Sequence, residues 1–131
     1  MANAIYPITK GALLQGSVNM STGTVKAALV GSGYTYAATH DFFDDLGANV
    51  IGTPQTLASK TFTNGTFDAA DVSWTALASG STVKAVVIYI DTGTASTSRL
   101  IAYLDGMTNL PLATNGGDVS ITWDATGIFT I

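Results

Sequence analysis

The sequence predicts an all-β fold, an antiparallel β-sandwich of Ig-like or jelly-roll-like type. Short runs of alternating apolar and polar residues recur along the chain, and turn signals rich in Gly, Asn and Asp separate them. Hydrophobic residues make up 47% of the 131 residues, which is enough to bury a two-sheet core. We expect residues 1–131 to form one sandwich domain, because a chain of this length leaves little room for a second core.

The two longest strands are predicted at Thr24–Val30 and Thr82–Ile90. The second run is apolar on both alternating faces after Lys84, a pattern typical of a central strand covered on both sides. Arg99–Leu104 follows the loop Thr92–Ser98, and we expect it to form a hairpin with Thr82–Ile90.

The clearest tight turn is Asn64-Gly65, which lies between the short strands Lys60–Thr63 and Thr66–Asp68. A type I′ turn needs positive φ at both central residues, and Asn and Gly accept that conformation most readily. The alternation of apolar and polar residues predicts that Phe62 faces the core.

Three further strands complete the predicted sandwich, at Val72–Leu77, Val119–Trp123 and Ile128–Ile131. The first two alternate with a period of two, so each has one face directed toward the core. The core-facing residues predicted on these two strands are Val72, Trp74, Ala76, Val119, Ile121 and Trp123.

One stretch breaks the strand pattern and predicts a short helix near residues 41–46 that packs across the end of the sandwich. Its apolar residues recur at spacings of three and four. Asp41 is predicted to cap the start of the helix and Gly47 to end it. The apolar residues that share one side are Phe42, Phe43 and Leu46.

Charge is scarce, because charged residues make up only 11% of the chain and the formal net charge is −4. A neutral polar surface can lie against another protein at a small desolvation cost. The scattered cations form no basic face for a phosphate backbone, so we expect no direct binding of nucleic acid. The longest apolar run, Ala85–Ile90, is too short to span a membrane, and we expect no secretory signal in the first residues. The cationic residues are Lys10, Lys26, Lys60, Lys84 and Arg99.

No residue pattern predicts a catalytic, cofactor or metal site. Cysteine is absent, which excludes disulfides, zinc–thiolate sites and thiol nucleophiles. His40 lies near Asp41, Asp44 and Asp45, but no Gly-x-Ser-x-Gly motif accompanies it, so we expect it to join the loop to the short helix and bond to its backbone. A calcium site at the three aspartates is the alternative, although their spacing is not that of an EF-hand and Glu is absent.

Three other groups of residues have structural and functional interpretations. Asp68 and Asp71 could be the paired carboxylates of a glycosidase, but turn chemistry explains them equally well. Tyr34 and Tyr36 could stack on a sugar or a protein partner if exposed, or belong to the core if buried. A phosphate-binding loop is not expected at the glycines, because no Gly-Lys-Ser/Thr follows them. These glycines are Gly31, Gly33, Gly116 and Gly117.

Several stretches together resemble small structural proteins of tailed bacteriophages. Thr39–Leu46, Leu57–Val72 and Val87–Tyr103 are similar to stretches of those proteins, as is Asn115–Asp118 with the strand that follows it to Trp123. The resemblance implies a particle component, either a head decoration protein or a minor tail protein. It supplies no catalytic residues.

The favoured hypothesis is therefore a virion protein, assembled in the host cytoplasm, that acts as a capsid decoration (cement) protein. Its predicted partners are the major capsid protein or tail proteins and further copies of itself, for which a trimer is one candidate state. The alternatives are a tail or tail-hub component, a host carbohydrate-binding module and, last, an enzyme. Candidate interface segments are the two ends of the sequence, Ser17–Thr24 and Thr92–Ser98.

Overall fold

The computed structural model describes residues 3–131. In that range the chain forms eleven strands, one α-helix and two short 3₁₀ helices. The strands are β1 (Ala4–Ile5), β2 (Thr24–Gly31), β3 (Val50–Thr56), β4 (Thr61–Thr63), β5 (Thr66–Asp68), β6 (Val72–Trp74), β7 (Thr82–Asp91), β8 (Leu100–Leu104), β9 (Leu112–Ala113), β10 (Val119–Ile121) and β11 (Phe129–Thr130). The helices are α1 (Pro7–Leu14) and the 3₁₀ helices Phe43–Asn49 and Ala95–Thr97.

The strands form an antiparallel sandwich, which confirms the predicted fold class. Six of them form one sheet in the order β1-β8-β7-β2-β3, with β9 paired to the first residues of β7. Two smaller sheets, β10-β6 and β11-β5-β4, make the facing layer. The main apolar cluster lies between the layers, because it combines residues of β2, β7 and β8 with residues of the smaller sheets.

Strand β7 is the central strand that its sequence predicts. It lies between β2 and β8, and its pairing with β8 confirms the expected hairpin. Val86 and Ile88 pack in the cluster between the layers. Ala85, Val87 and Tyr89 pack in a second cluster on the other face of the large sheet, which we call the outer face and the outer cluster. The six-stranded sheet is therefore covered on both faces, which explains why β7 lacks polar alternation.

Helix α1 was not predicted from the sequence, and it is joined to β8 by Thr9, whose hydroxyl donates to the backbone oxygen of Leu100. Pro7 occupies its first turn, where a missing N–H costs nothing. Gly16 follows the helix with φ of 72°, and the N–H groups of Gly16 and Ser17 donate to the oxygens of Leu13 and Ala12. This is a Schellman ending. The proline at the start and the glycine after the end were thus the sequence signals from which this helix could have been predicted.

The predicted short helix exists as the 3₁₀ helix Phe43–Asn49, but two details of the prediction were wrong. Its N-cap is Phe42 and not Asp41, and the carboxylate of Asp45 accepts hydrogen bonds from the N–H groups of Asp41 and Phe42, at 2.8 and 3.3 Å. Gly47 has non-helical backbone angles, with φ of 58° and ψ of −136°, so the first helical turn ends there as the sequence predicts, and a further short turn leads to Asn49.

The second wrong detail is the position of this 3₁₀ helix. It packs on the outer face of the six-stranded sheet, and not across the end of the sandwich. Leu46 is fully buried in the outer cluster, and the ring centroids of Phe43 and Tyr89 are 4.4 Å apart.

The Asn64-Gly65 turn has positive φ at both residues, 52° and 81°, as a type I′ turn requires. The prediction that Phe62 faces the core was wrong, because its side chain is 48% exposed. Phe62 pairs with the buried Phe67, but β4 is the outermost strand of its sheet and has a neighbour on one side only. Ala76 was also assigned to the core in error: β6 ends at Trp74, and Ala76 is exposed.

Candidate interaction surface

His40 lies at the end of a hydrogen-bonded chain of side chains. Its Nδ1 is 2.7 Å from the hydroxyl of Tyr34, which is 2.9 Å from the hydroxyl of Tyr6. Tyr6 is fully buried and Tyr34 is only 2% exposed, so both belong to the core. The expected bond from the His40 side chain to the helix backbone is replaced by this contact with Tyr34.

The tyrosines of the outer cluster are held in their neutral form. Burial is the main cause that raises the pKa of Tyr6, and its hydrogen bond to Tyr34 raises the pKa further. Burial likewise raises the pKa of Tyr34 and Tyr103, and it raises the pKa of Tyr89 to about 12. These side chains contribute to the packing of the core, and their hydroxyl groups are poor candidates for proton transfer near neutral pH.

Three of the aspartates considered as ligands or catalysts, Asp45, Asp68 and Asp71, accept hydrogen bonds from backbone N–H groups. Asp45 holds the start of the 3₁₀ helix, and within residues 3–131 no three His or Asp side chains come together as a metal-binding group. Asp68 accepts a hydrogen bond from the N–H of Ala69, and Asp71 accepts one from the N–H of Trp123 at 3.0 Å. Asp68 therefore bonds within its own turn, whereas Asp71 joins that turn to the backbone of Trp123, 52 residues away.

A groove opens on the side of the sandwich where β1 and β11 are the outermost strands of their sheets. It consists of two adjoining depressions with volumes of about 530 and 520 Å³, which share Ile5, Lys10 and Thr130. We call it the β1–β11 groove. Six residues that define it are Ile5, Lys10, Leu14, Phe129, Thr130 and Ile131.

Both walls of the groove are unpaired strand edges. The N–H of Tyr6 donates to the oxygen of Ile101, so the backbone groups of the preceding Ile5 point away from β8 and toward the open side. The N–H of Ile131 donates to the oxygen of Gly65, so the backbone groups of Thr130 point away from β5. Each wall thus offers a backbone donor and acceptor that no strand of its own sheet uses.

Exposed apolar side chains lie along the same side of the molecule. Leu14 is 91% exposed and Ile131 is 69% exposed, and both line the groove. Phe62 and Ile131 line a smaller adjoining depression of about 130 Å³. Exposed apolar side chains that adjoin one another mark contact sites far more often than scattered ones do.

The groove is almost uncharged. Lys10 is exposed and is the one charged residue among those that line its two depressions. Lys10 is therefore the residue of the groove that could pair with a carboxylate of a partner.

The opposite edge of the six-stranded sheet is closed. The indole N–H of Trp74 donates to the oxygen of Thr53 on β3 at 2.8 Å, and the side chain of Gln55 donates to the same oxygen at 2.9 Å. Pro54 has no N–H to offer to a further strand. Such features are a usual protection of strand edges, and they contrast with the open edge at β1.

The candidate interface segment Ser17–Thr24 is fixed to the rest of the fold by Lys60. The ammonium group of Lys60 donates to the oxygens of Met20, Ser21 and Gly23, at 2.8, 3.2 and 2.8 Å. The segment is therefore an ordered surface, and its anchoring lysine was not recognised from the sequence because the two regions are about 40 residues apart.

We expect Lys60→Met to lower the free energy of unfolding by about 2 kcal/mol, because three carbonyl oxygens lose a charged donor. Urea denaturation of this variant and of Lys10→Met, whose side chain is exposed, measures the difference. Equal stability of the two variants would contradict a structural role for Lys60.

The other candidate segment, Thr92–Ser98, is a compact loop. The hydroxyl of Thr92 lies 2.6 Å from that of Thr97 and 3.2 Å from that of Ser98, and Ser98 is buried. The hydroxyl groups therefore bond mainly within the loop, which offers a partner fewer free polar groups than its composition indicates.

Among residues 3–131 no helix is long and apolar enough to cross a membrane. No protein-family model matches the sequence, and no curated protein matches it either. The function proposed below therefore rests on the geometry of the molecule and on the resemblance described above.

Proposed function

We propose that the protein is a virion structural protein of a tailed bacteriophage that decorates the capsid and reinforces the contacts between capsid subunits. The observation that carries the proposal is the β1–β11 groove, a largely apolar cleft with Lys10 as its one charged residue and with exposed Leu14 and Ile131 at one end. A cement protein needs such a surface, since added apolar contact between neighbouring subunits is what stabilises the shell.

The sparse surface charge supports the same proposal. Charged residues amount to 11% of the chain, so little desolvation of ions opposes a large contact with another protein. Repeated copies on one shell would add avidity. The proposal includes the major capsid protein as partner and self-association, with a trimer as one state.

Carbohydrate binding has weaker support. Tyr34 is buried and bonded to Tyr6 and His40, so it offers no exposed ring face for stacking on a sugar. Tyr36 is half-buried, and its ring packs against those of Tyr6 and Tyr103 with centroids 5.1 and 5.4 Å apart, so the two tyrosines do not form an exposed stacking pair.

The copy number in purified particles tests the proposal. A decoration protein should be present at a number comparable to that of the capsid subunits, and particles that lack it should open at a lower temperature. About six or twelve copies per particle, as in a tail ring, would contradict the capsid role and favour a tail component.

A surface variant tests the contact itself. We expect Leu14→Asp to weaken binding to particles that lack the protein by about 30-fold or more, because an apolar contact is lost and a charge is buried. Ala78→Asp introduces the same charge at an exposed position away from the groove and should bind normally. Equal binding of the two variants would exclude the groove as the contact.

A further inference from the structure

The β1–β11 groove has a backbone pattern as well as an apolar surface. We infer that it accepts an extended segment of the partner chain, which lies between β1 and β11 and hydrogen bonds to the backbone of Ile5 and Thr130. The partner's identity as a capsid protein rests on the proposed function. The geometry of binding rests on the two strand edges.

The direction of the free backbone groups is the first reason. Ile5 is in a non-hydrogen-bonded pair with Ala102, and Thr130 is in one with Thr66, so their N–H and C=O groups face the groove. Peptides that add a strand to an exposed sheet edge use such groups for affinity and side-chain pockets for specificity.

The side chains and charge of the groove define the second reason. Ile5, Leu14 and Phe129 offer apolar contacts to alternate side chains of an extended segment. Lys10 is the one charge at the groove, so the segment should carry an Asp or Glu that faces it. The occupant is therefore an extended, mainly apolar segment with one carboxylate.

The contrast between the two edges of the large sheet is the third reason. The edge at β3 is closed by Pro54 and by the bond from Trp74 to Thr53, whereas the edge at β1 opens into the groove. An edge left open beside an apolar cleft is the arrangement that strand addition requires.

Proline variants test the backbone bonds. Thr130→Pro and Ile5→Pro each remove one outward N–H, whereas the matched controls Thr130→Ala and Ile5→Val change the side chain and keep the N–H. With particles that lack the protein as the probe, each proline variant should bind about five- to tenfold more weakly than its control. Thermal unfolding of all four variants shows whether the fold is retained.

Hydrogen exchange of the wild-type protein provides a measurement that does not depend on the variants. Binding to the particles should slow amide exchange in the segments that contain Ile5 and Thr130. Normal binding of both proline variants, or unchanged exchange in both segments, would overturn strand addition and leave the proposed function intact. An effect at only one position would overturn the bridging geometry.

Two further outcomes separate the partner from the mode of binding. If the wild-type protein does not bind the particles at all, the proposed function and this inference both fail. If the protein alone self-associates in ultracentrifugation and the proline variants abolish this, the occupant is a second copy of the chain and the capsid segment is excluded. Lys10→Gln should weaken binding of an acidic segment about threefold and reduce its salt dependence.

Discussion

We expect the protein to unfold cooperatively when the pH rises through about 10 to 12. Four of its five tyrosines, Tyr6, Tyr34, Tyr89 and Tyr103, are almost completely buried, and burial raises the pKa of each. In the unfolded chain these groups ionise near the ordinary value of about 10. Ionisation therefore favours the unfolded state, and the contribution of each tyrosine is complete below pH 10 and is lost above it.

The expected size of this effect is large. Each tyrosine that stays neutral in the folded protein lowers the free energy of unfolding by about 1.4 kcal/mol per pH unit above 10, so Tyr6 and Tyr89, whose pKa values are raised furthest, together remove about 3 kcal/mol per unit. Small domains have a total stability of about 5–15 kcal/mol, so about two pH units suffice to unfold a chain at the lower end of that range.

Circular dichroism and tyrosinate absorbance, recorded together during an alkaline titration, measure this transition. The absorbance of the buried tyrosines should rise together with the loss of β-structure. Tyr6→Phe removes one titrating group and leaves Tyr34 bonded to His40, so the slope of stability against pH should fall by about 1.4 kcal/mol per pH unit. Tyrosinate formation with the β-signal intact would contradict the expectation.

The second large effect is expected at Trp74. The indole ring is buried between the two layers, and its N–H closes the edge of β3 through the bond to Thr53. Trp74→Ala should lower the free energy of unfolding by about 3–5 kcal/mol, because it leaves a cavity and removes one of the two donors to the Thr53 oxygen.

Trp74→Phe is the matched variant, since it keeps an aromatic ring and loses the indole N–H. Urea denaturation should place it between the wild type and Trp74→Ala. If Trp74→Ala loses less than about 1 kcal/mol, the two layers are held together without this residue, and the packing described above is wrong at that point.

The sequence predicts the strands that have a strong local pattern and misses elements defined by distant contacts. β7 is apolar without interruption from Ala85 to Ile90, and the Asn64-Gly65 turn has a specific chemistry, so both were found. β3 contains Gly52 and Pro54, which obscure the alternation, and β9 has only two residues. Their assignment as strands depends on pairing with β2 and β7.

The candidate surface was less predictable than the fold. Its walls come from Ile5 and Thr130, at opposite ends of the sequence, and no local pattern reveals that the two edges face one another. The two ends of the sequence were named as interface candidates, but only the fold brings them to one groove. His40 shows the same limit, because its bond to Tyr34 depends on how the intervening loop folds.

The closed edge at β3 bears on how copies of the protein can assemble. A chain with two open strand edges could link sheets end to end and grow into a filament, since each added copy would present a fresh edge. Here Trp74 and Pro54 block one direction of growth, so strand addition at β1 would end with a single incoming segment. Strand addition at β1 therefore does not propagate to a further copy through β3.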